Sequence, residues 1–360
     1  MNSIGIDVGK KQCRASIKDQ HGRIIDELSF SNDMAGIRLL LSTASSHGDA
    51  RAVVESTGNM WMRIHDTLEE NGIDTVLANP VKTKLIAQAR IKNDKLDSRI
   101  LADLLRGDLV YESYVPSKEF REKRSLVRHR VALVKARTAL RNKVHALLDK
   151  YEYETELTDI FGKAGLELLR GLELSPIDRV IMNTSIASVV NLSTQIDILS
   201  THIAKYAWDS RDVRLLLSMN GVDIFSAMVI ATEIVDIRRF PTPWKLVAYA
   251  GLAPGQRESA GKTRHGKITK QGSRVLRWIM VQSARQAVRH DERFEAYYER
   301  IQRRKGDSKA VVAVAKEMLV VVWYMLTKQE EYRGVKKELY QRKLAKLEKF
   351  SPGLAEELDE

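Results

Sequence analysis

The chain of 360 residues carries 59 lysines and arginines against 47 acidic residues, a formal net charge of +12, and 44% of it is apolar. That length suits two domains or three with real cores, and the cationic excess points to a polyanion, nucleic acid before others. A single cysteine, Cys13, excludes a disulfide framework within the chain and a cysteine-rich zinc site.

The first thirty residues read as an antiparallel meander. "SIGIDVG", "CRASIKD" and "RIIDELSF" have strand character and are separated by turn-like "KKQ" and "DQHG". Lys10 and Lys11 follow the first strand with no long apolar run behind them, so no secretory leader is expected. Residues 33–46 have helical periodicity, and "ARAVVES" (50–56) suits a buried strand. "NMWMRIHDTLEENG" is an amphipathic helix closed by Gly72, and "DTVLANP" is a strand stopped by Pro80. A helix over "KNDKLDSRILADLL" completes β-β-β-α-β-α-β-α, an α/β domain over residues 1–112.

The character then changes. From Ser117 the chain runs without Gly or Pro to Tyr151, with apolar residues at three-to-four spacing; ten Lys/Arg and two Glu fall between Lys118 and Lys143. One long helix is predicted, suited to a coiled coil, opening a helical connector over 113–210 in which Pro176 marks a break. Residues 211–328 form a mostly helical C-terminal domain. Two short helices meet at Asn220-Gly221, "TPWKLVAYAGL" is a third, and "APGQRESAGKTRHGKITKQGS" is expected to be mostly loop. Ser273 reads as the cap of the next helix, and Tyr249 as core. The most apolar run, Ala310 to Leu326, is interrupted by Lys316 and Glu317 and is expected to be too short and too charged to span a bilayer. Residues 329–360 are a charged helical tail, and a cytoplasmic protein with no membrane partner is expected.

Two groups of residues carry chemistry. Asp7 and Glu55 each close an apolar strand, and Asp94 and Asp97 open a helix, where i, i+3 spacing predicts one shared face. Singly, these are a turn residue, a strand-end acid, an N-cap and a first-turn acid. Together they could hold one or two Mg²⁺ ions, which take oxygen ligands and serve phosphodiester chemistry. The second group lies between Arg257 and Arg277, where seven Lys/Arg stand against one Glu. Arg257, Lys262, Arg264, Lys267, Lys270, Arg274 and Arg277 are suited to phosphates, and glycines 255, 261, 266 and 272 let the backbone approach another chain. Ser259 sits among them. A plain loop residue, a phosphate hydrogen-bond donor and a nucleophile are all open to it, and His265 beside it suits phosphate contact or solvent.

"GIDVGK", "VVESTG" and "KNDKLDSRILADLL", followed by "NGVDIFSAMVIATEIVDIRRF" and "WKLVAYAGLAPGQRESAGKTRHGKITKQGSRVLRW", resemble the bridge-RNA-guided recombinases, a family of bacterial insertion-sequence transposases. The resemblance covers most of the chain. It implies a RuvC-like N-terminal domain of the ribonuclease H fold, a helical coiled-coil connector and a C-terminal serine transposase domain. It maps the family's four acidic positions onto Asp7, Glu55, Asp94 and Asp97, and its serine onto Ser259, implying a covalent phosphoserine link to DNA assisted by Mg²⁺. It further implies donor and target DNA as substrates and a homodimer or homotetramer in which carboxylates of one subunit meet the serine of another. A structured non-coding guide RNA would be held partly by the connector helix, where Arg128, Arg130, Lys135, Arg137 and Arg141 are the candidate contacts; a solvated cationic face is the plainer account of them. Ala260 and Asp223 depart from the family, which more often has glycine at both.

Other readings fit fewer features. A metal-dependent RuvC-like nuclease or junction resolvase would use water in place of Ser259. "GIDVG" also occurs in actin-like sugar kinases, but the further phosphate and adenosine loops of a kinase are not evident. A non-catalytic nucleic-acid-binding protein leaves the four acids without a purpose.

Overall fold

Alternation of side chains decides the first sheet. In strand β1 (Asn2–Asp7), Ile4 and Ile6 point to one face and are wholly buried. The computed structural model describes residues 1–56, 58–91, 97–259 and 262–350, with 87–91, 256–259 and 262–265 described by backbone alone. The chain divides into two units, Met1–Pro116 and Ser117–Glu360.

In the first unit, β1 pairs antiparallel with β2 (Gln12–Lys18), and β2 with β3 (Ile24–Ser31). Helix α1 (Met34–Ser46) carries the chain to β4 (Ala50–Glu55), which lies parallel to β1. Helix α2 (Trp61–Glu70) carries it to β5 (Thr75–Ala78), parallel to β4, giving the order β3-β2-β1-β4-β5. Parallel neighbours need such helical crossovers. Ile4, Ile6, Ala52 and Val54 form one face, against Ile37 and Leu40 of α1 and Ile64 and Leu68 of α2. Helix α3 (Pro80–Ile91), which the sequence reading omits, begins at the proline that stops β5. Helix α4 (Ser98–Arg106) covers the other face, with Leu101 and Leu105 against Val53, Val76 and Ala78.

The second unit opens on α5 (Lys118–Lys150), capped by Ser117 as its unbroken periodicity predicts. After the short α6 (Lys163–Gly171) comes α7 (Pro176–Trp208), where Pro176 starts the helix because its missing N–H costs nothing there. Arg130 reaches Ser200 and Arg137 reaches Ser193, so α5 and α7 run antiparallel as a hairpin within the chain. Val144, Leu148, Leu169 and Met182 pack one end of it.

The helical body follows. It contains α8 (Arg211–Leu217), α9 (Ile224–Ile234) and α10 (Pro243–Tyr249), then, after the basic segment, α11 (Arg274–His290), α12 (Glu292–Lys305), α13 (Asp307–Lys328) and α14 (Lys337–Glu348). Two sequence expectations are corrected here. The basic segment is not mostly loop: β6 (Pro254–Ser259) and β7 (Lys262–Ile268) pair as an antiparallel hairpin. Strands built from Gln, Arg, Glu, Lys and His carry no apolar alternation, so residue pattern does not announce them. Helix α13 is, by length and composition, long and apolar enough to cross a membrane. It serves instead as core: Val311, Val314, Ala315, Met318, Leu319 and Val322 are buried, and the helix packs chiefly against α10, α11 and α12. Helical spacing gathers the apolar residues on the inner face.

Candidate active site

Register brings the first two acids together. Ile6 lies opposite Val54 in the parallel β1–β4 pair, so Asp7 and Glu55 close adjacent strands side by side. Ile4 and Ile6 occupy the other face, so Gly5 and Asp7 face α4, as do Val53 and Glu55. Burial, and next the like charge of Asp7, push the Glu55 carboxyl above its ordinary value.

Gly5 explains how the third acid arrives. A Cβ on it would stand 2.0 Å from the Ser98 carbonyl oxygen and 2.4 Å from the Ala102 nitrogen. Backbone therefore packs on backbone, and the start of α4 is held against β1 two residues before Asp7. Lys18 of β2 pairs with Asp103 at 2.6 Å and secures the same helix. Asp97 is the N-cap, in extended conformation, with Oδ1 accepting from Ile100 N at 2.9 Å. This corrects the expectation that Asp94 and Asp97 share a helical face: Asp97 precedes the helix, and Asp94 lies outside the described residues.

Asp7 and Asp97 line one cavity of about 430 Å³ with Arg14, Glu27, Ser29 and Arg99. Arg14 is the cross-strand neighbour of Asp7. Arg99 holds Glu27 bidentately at 2.5 and 2.6 Å and so lowers its pKa. Among the described residues, no three Asp, Glu, His or Cys side chains already stand close enough to hold a metal ion. Asp7 and Glu55 at adjacent strand ends, and Asp97 across the cavity from Asp7, offer carboxylate oxygen only, the kind Mg²⁺ takes, and a cation would relieve the repulsion between Asp7 and Glu55.

Ser259 ends β6, and its backbone pairs with Lys262 across the connection; Arg257 pairs with Arg264, and His265 with Gln256. The base of this hairpin is tightly held. Thr269 N donates to Ala253 O at 2.9 Å, Lys270 N to Gly251 O at 3.1 Å and Ser273 N to Tyr249 O at 2.7 Å. Arg277 Nη1 spans both legs, donating to Ala250 O at 3.0 Å and Lys270 O at 3.2 Å. Gly272, at φ +98, comes so near that a Cβ would stand 2.1 Å from Tyr249 O. Lys267, Lys270 and Arg274 are exposed around this base. Ser273 caps α11, as expected, accepting from Leu276 N. Tyr249 is half-buried against the core.

Of the five candidate connector cations, Arg128 and Lys135 are exposed. Arg128, Arg130, Arg137 and Arg141 have partners in the chain. Arg128 pairs with Glu233, Arg130 donates to Ser200 and stacks 3.8 Å from the Phe225 ring centre, Arg137 donates to Ser193, and Arg141 lies 4.7 Å from the Phe161 ring centre. Asp223 has a purpose of its own: it caps α9 in a reciprocal capping box with Ser226. Ala260 lies outside the described residues. Sequence reasoning passed over Glu233, although one acid in the apolar run "SAMVIATEIV" was the available signal.

Residues 4–152 match a DEDD-type family of IS110, described as a transposase. Residues 213–299 match a family described as the transposase IS116/IS110/IS902 family. The chain is 26% identical to the transposase for insertion sequence element IS1111A of Coxiella burnetii, over 92% of its own length and 91% of the relative's. It is 29% identical to a "Probable family 20 transposase" of Pseudomonas aeruginosa, over 92% and 99% of the two chains. With the transposase for insertion sequence element IS1328 of Yersinia enterocolitica it shares 23% identity, over 78% and 82%.

Proposed function

We propose that the chain, whose residues 4–152 and 213–299 match transposase families of insertion sequences, is a DNA recombinase that cleaves and exchanges strands through Ser259 with Mg²⁺ at Asp7, Glu55, Asp94 and Asp97. The observation that carries the metal site is the placement of Asp7 and Glu55 on adjacent strand ends, with Asp97 lining the cavity beside Asp7. A five-stranded sheet ordered β3-β2-β1-β4-β5 supports the RuvC-like reading of this unit.

In the proposed reaction, Ser259 Oγ forms a bond to phosphorus as the bond from phosphorus to a sugar oxygen breaks. The product is a phosphoserine ester and a free sugar hydroxyl. A bare hydroxyl is a weak nucleophile and needs help. Bound Mg²⁺ would supply positive charge for that activation and for the departing oxygen. Lys262, Arg264, Lys267, Lys270 and Arg274 neutralise DNA phosphates around the hairpin, with Arg257 beside them and Arg277 bracing the base. Exposed connector cations, Lys135 among them, contact a structured guide RNA, and a dimer or tetramer assembles on donor and target DNA.

The test is an adduct trap. Full-length protein with its co-purified RNA is incubated with Mg²⁺ and duplexes spanning the ends of its own element, then run on a denaturing gel. Wild type should give a protease-sensitive protein–DNA band; Ser259→Ala and Asp7→Asn should not. Cut DNA with no adduct would mean that water attacks, as in a junction resolvase. Sequencing the co-purified RNA tests the guide: a random mixture of cellular RNA would refute it.

A further inference from the structure

The side chain of Glu233 has no solvent exposure. Arg128 donates to it twice, through Nε at 2.7 Å and Nη2 at 3.0 Å, and Ser273 Oγ donates at 2.9 Å. A buried carboxylate is tolerated only when paired in this way. The three residues come from different elements. Arg128 is on the connector helix α5, Glu233 ends α9, and Ser273 begins α11 directly after the β6–β7 hairpin.

The backbone around Glu233 is strained. Val235 has φ 64 and ψ −70, and Asp236 N donates across it to Ile234 O at 2.9 Å, which makes a γ-turn. A β-branched residue at positive φ is an outlier that persists only where its surroundings force it. Arginines supply that force. Arg239 donates to the carbonyls of Glu233 at 3.1 Å and Ile234 at 2.9 Å, and Arg124 donates to the Thr232 carbonyl at 2.9 Å. The end of α9 is thus clamped in a shape that aims one carboxylate at the outgoing leg of the hairpin. Ser273 N in turn holds the incoming leg through Tyr249 O at 2.7 Å.

We propose that Glu233 is a positioning residue for strand cleavage: through Ser273 it sets the base of the hairpin that carries Ser259, and through Arg128 it ties that base to the connector helix. This rests on the reading of Ser259 as nucleophile. Glu233 takes no part in bond making. Its effect is on where the serine stands, and small misplacements of a reacting group cost large factors in rate.

A purely structural ion pair makes a different prediction, so two kinds of variant are needed. Ser273→Gly keeps an acceptable cap for α11 but removes the hydroxyl that meets Glu233, whereas Ser273→Thr retains both. Arg128→Met with Glu233→Leu removes the buried carboxylate together with its half-exposed partner, so that no unpaired charge is left in the core. Each is assayed in the full chain for thermal midpoint, DNA retention and single-turnover adduct formation. Ser273→Gly and the double variant should fold and bind DNA as wild type does, yet form adduct at least about tenfold more slowly. Ser273→Thr should restore nearly the full rate. A wild-type rate in Ser273→Gly would overturn the inference alone. Absence of adduct from wild type would overturn the nucleophile itself, and the inference with it.

Discussion

Gly5 of β1 lies against the carbonyl of Ser98, the first residue of α4, so closely that a methyl group on Gly5 would stand 2.0 Å from that oxygen. This contact sets the height at which Asp97 arrives beside Asp7. Gly5→Ala must push α4 outward. It should cost about 2 kcal/mol or more, toward the upper end of ordinary overpacking, and should weaken metal-dependent activity as Asp97 is displaced. Denaturant titration checks the first part. An unchanged midpoint would mean that α4 is not pinned there.

Cation binding should be visible without any reaction. Adding Mg²⁺ to the wild type should raise its thermal midpoint, because an ion that binds only the folded state stabilises it, by about 2.7 kcal/mol at a hundredfold excess over Kd. Asp7→Asn and Glu55→Gln should lose that shift. A shift retained in both variants would remove these two residues from the ion site.

Acid should loosen the end of the connector hairpin. Hydrogen bonds from Lys150, Tyr151 and Ser175 pull the Asp178 carboxyl down to about 2 from an ordinary 3.8. A carboxylate depressed by folding contributes stability above its unfolded value and loses it as pH falls toward the folded one. Melting of the wild type should therefore drop more steeply between pH 4 and pH 2 than that of Asp178→Asn. Parallel curves would mean that the pairing does not persist in solution.

The departure at Asp223 has a simple test. As the N-cap of α9 it accepts from Ser226 N at 2.7 Å. Asp223→Ala should cost about 1 kcal/mol, while Asp223→Gly should cost only a few tenths. Equal losses in urea unfolding would mean that the cap contributes nothing.

Apart from α3, the order of strands and helices in the first unit could be read from residue pattern because each element buries one face, and burial writes a period of two or of 3.6 into the chain. Asp7 and Glu55 stood out for the same reason, as acids ending apolar strands. The cap at Ser273 is local as well, needing only a residue three positions on. Where the decisive contact lies far along the chain, pattern fell short. A cationic helix looks alike whether its arginines face solvent or another helix, and only the approach of α7 and α9 gave Arg128, Arg130 and Arg137 partners there. The polar strands β6 and β7 have no apolar stripe, so their register had to come from pairing. Glu233 reads as one more helical acid until Arg128, over a hundred positions earlier, and Ser273, forty later, close around it. Burial of a charge is settled by what surrounds it in space, and no neighbour in the chain announces that.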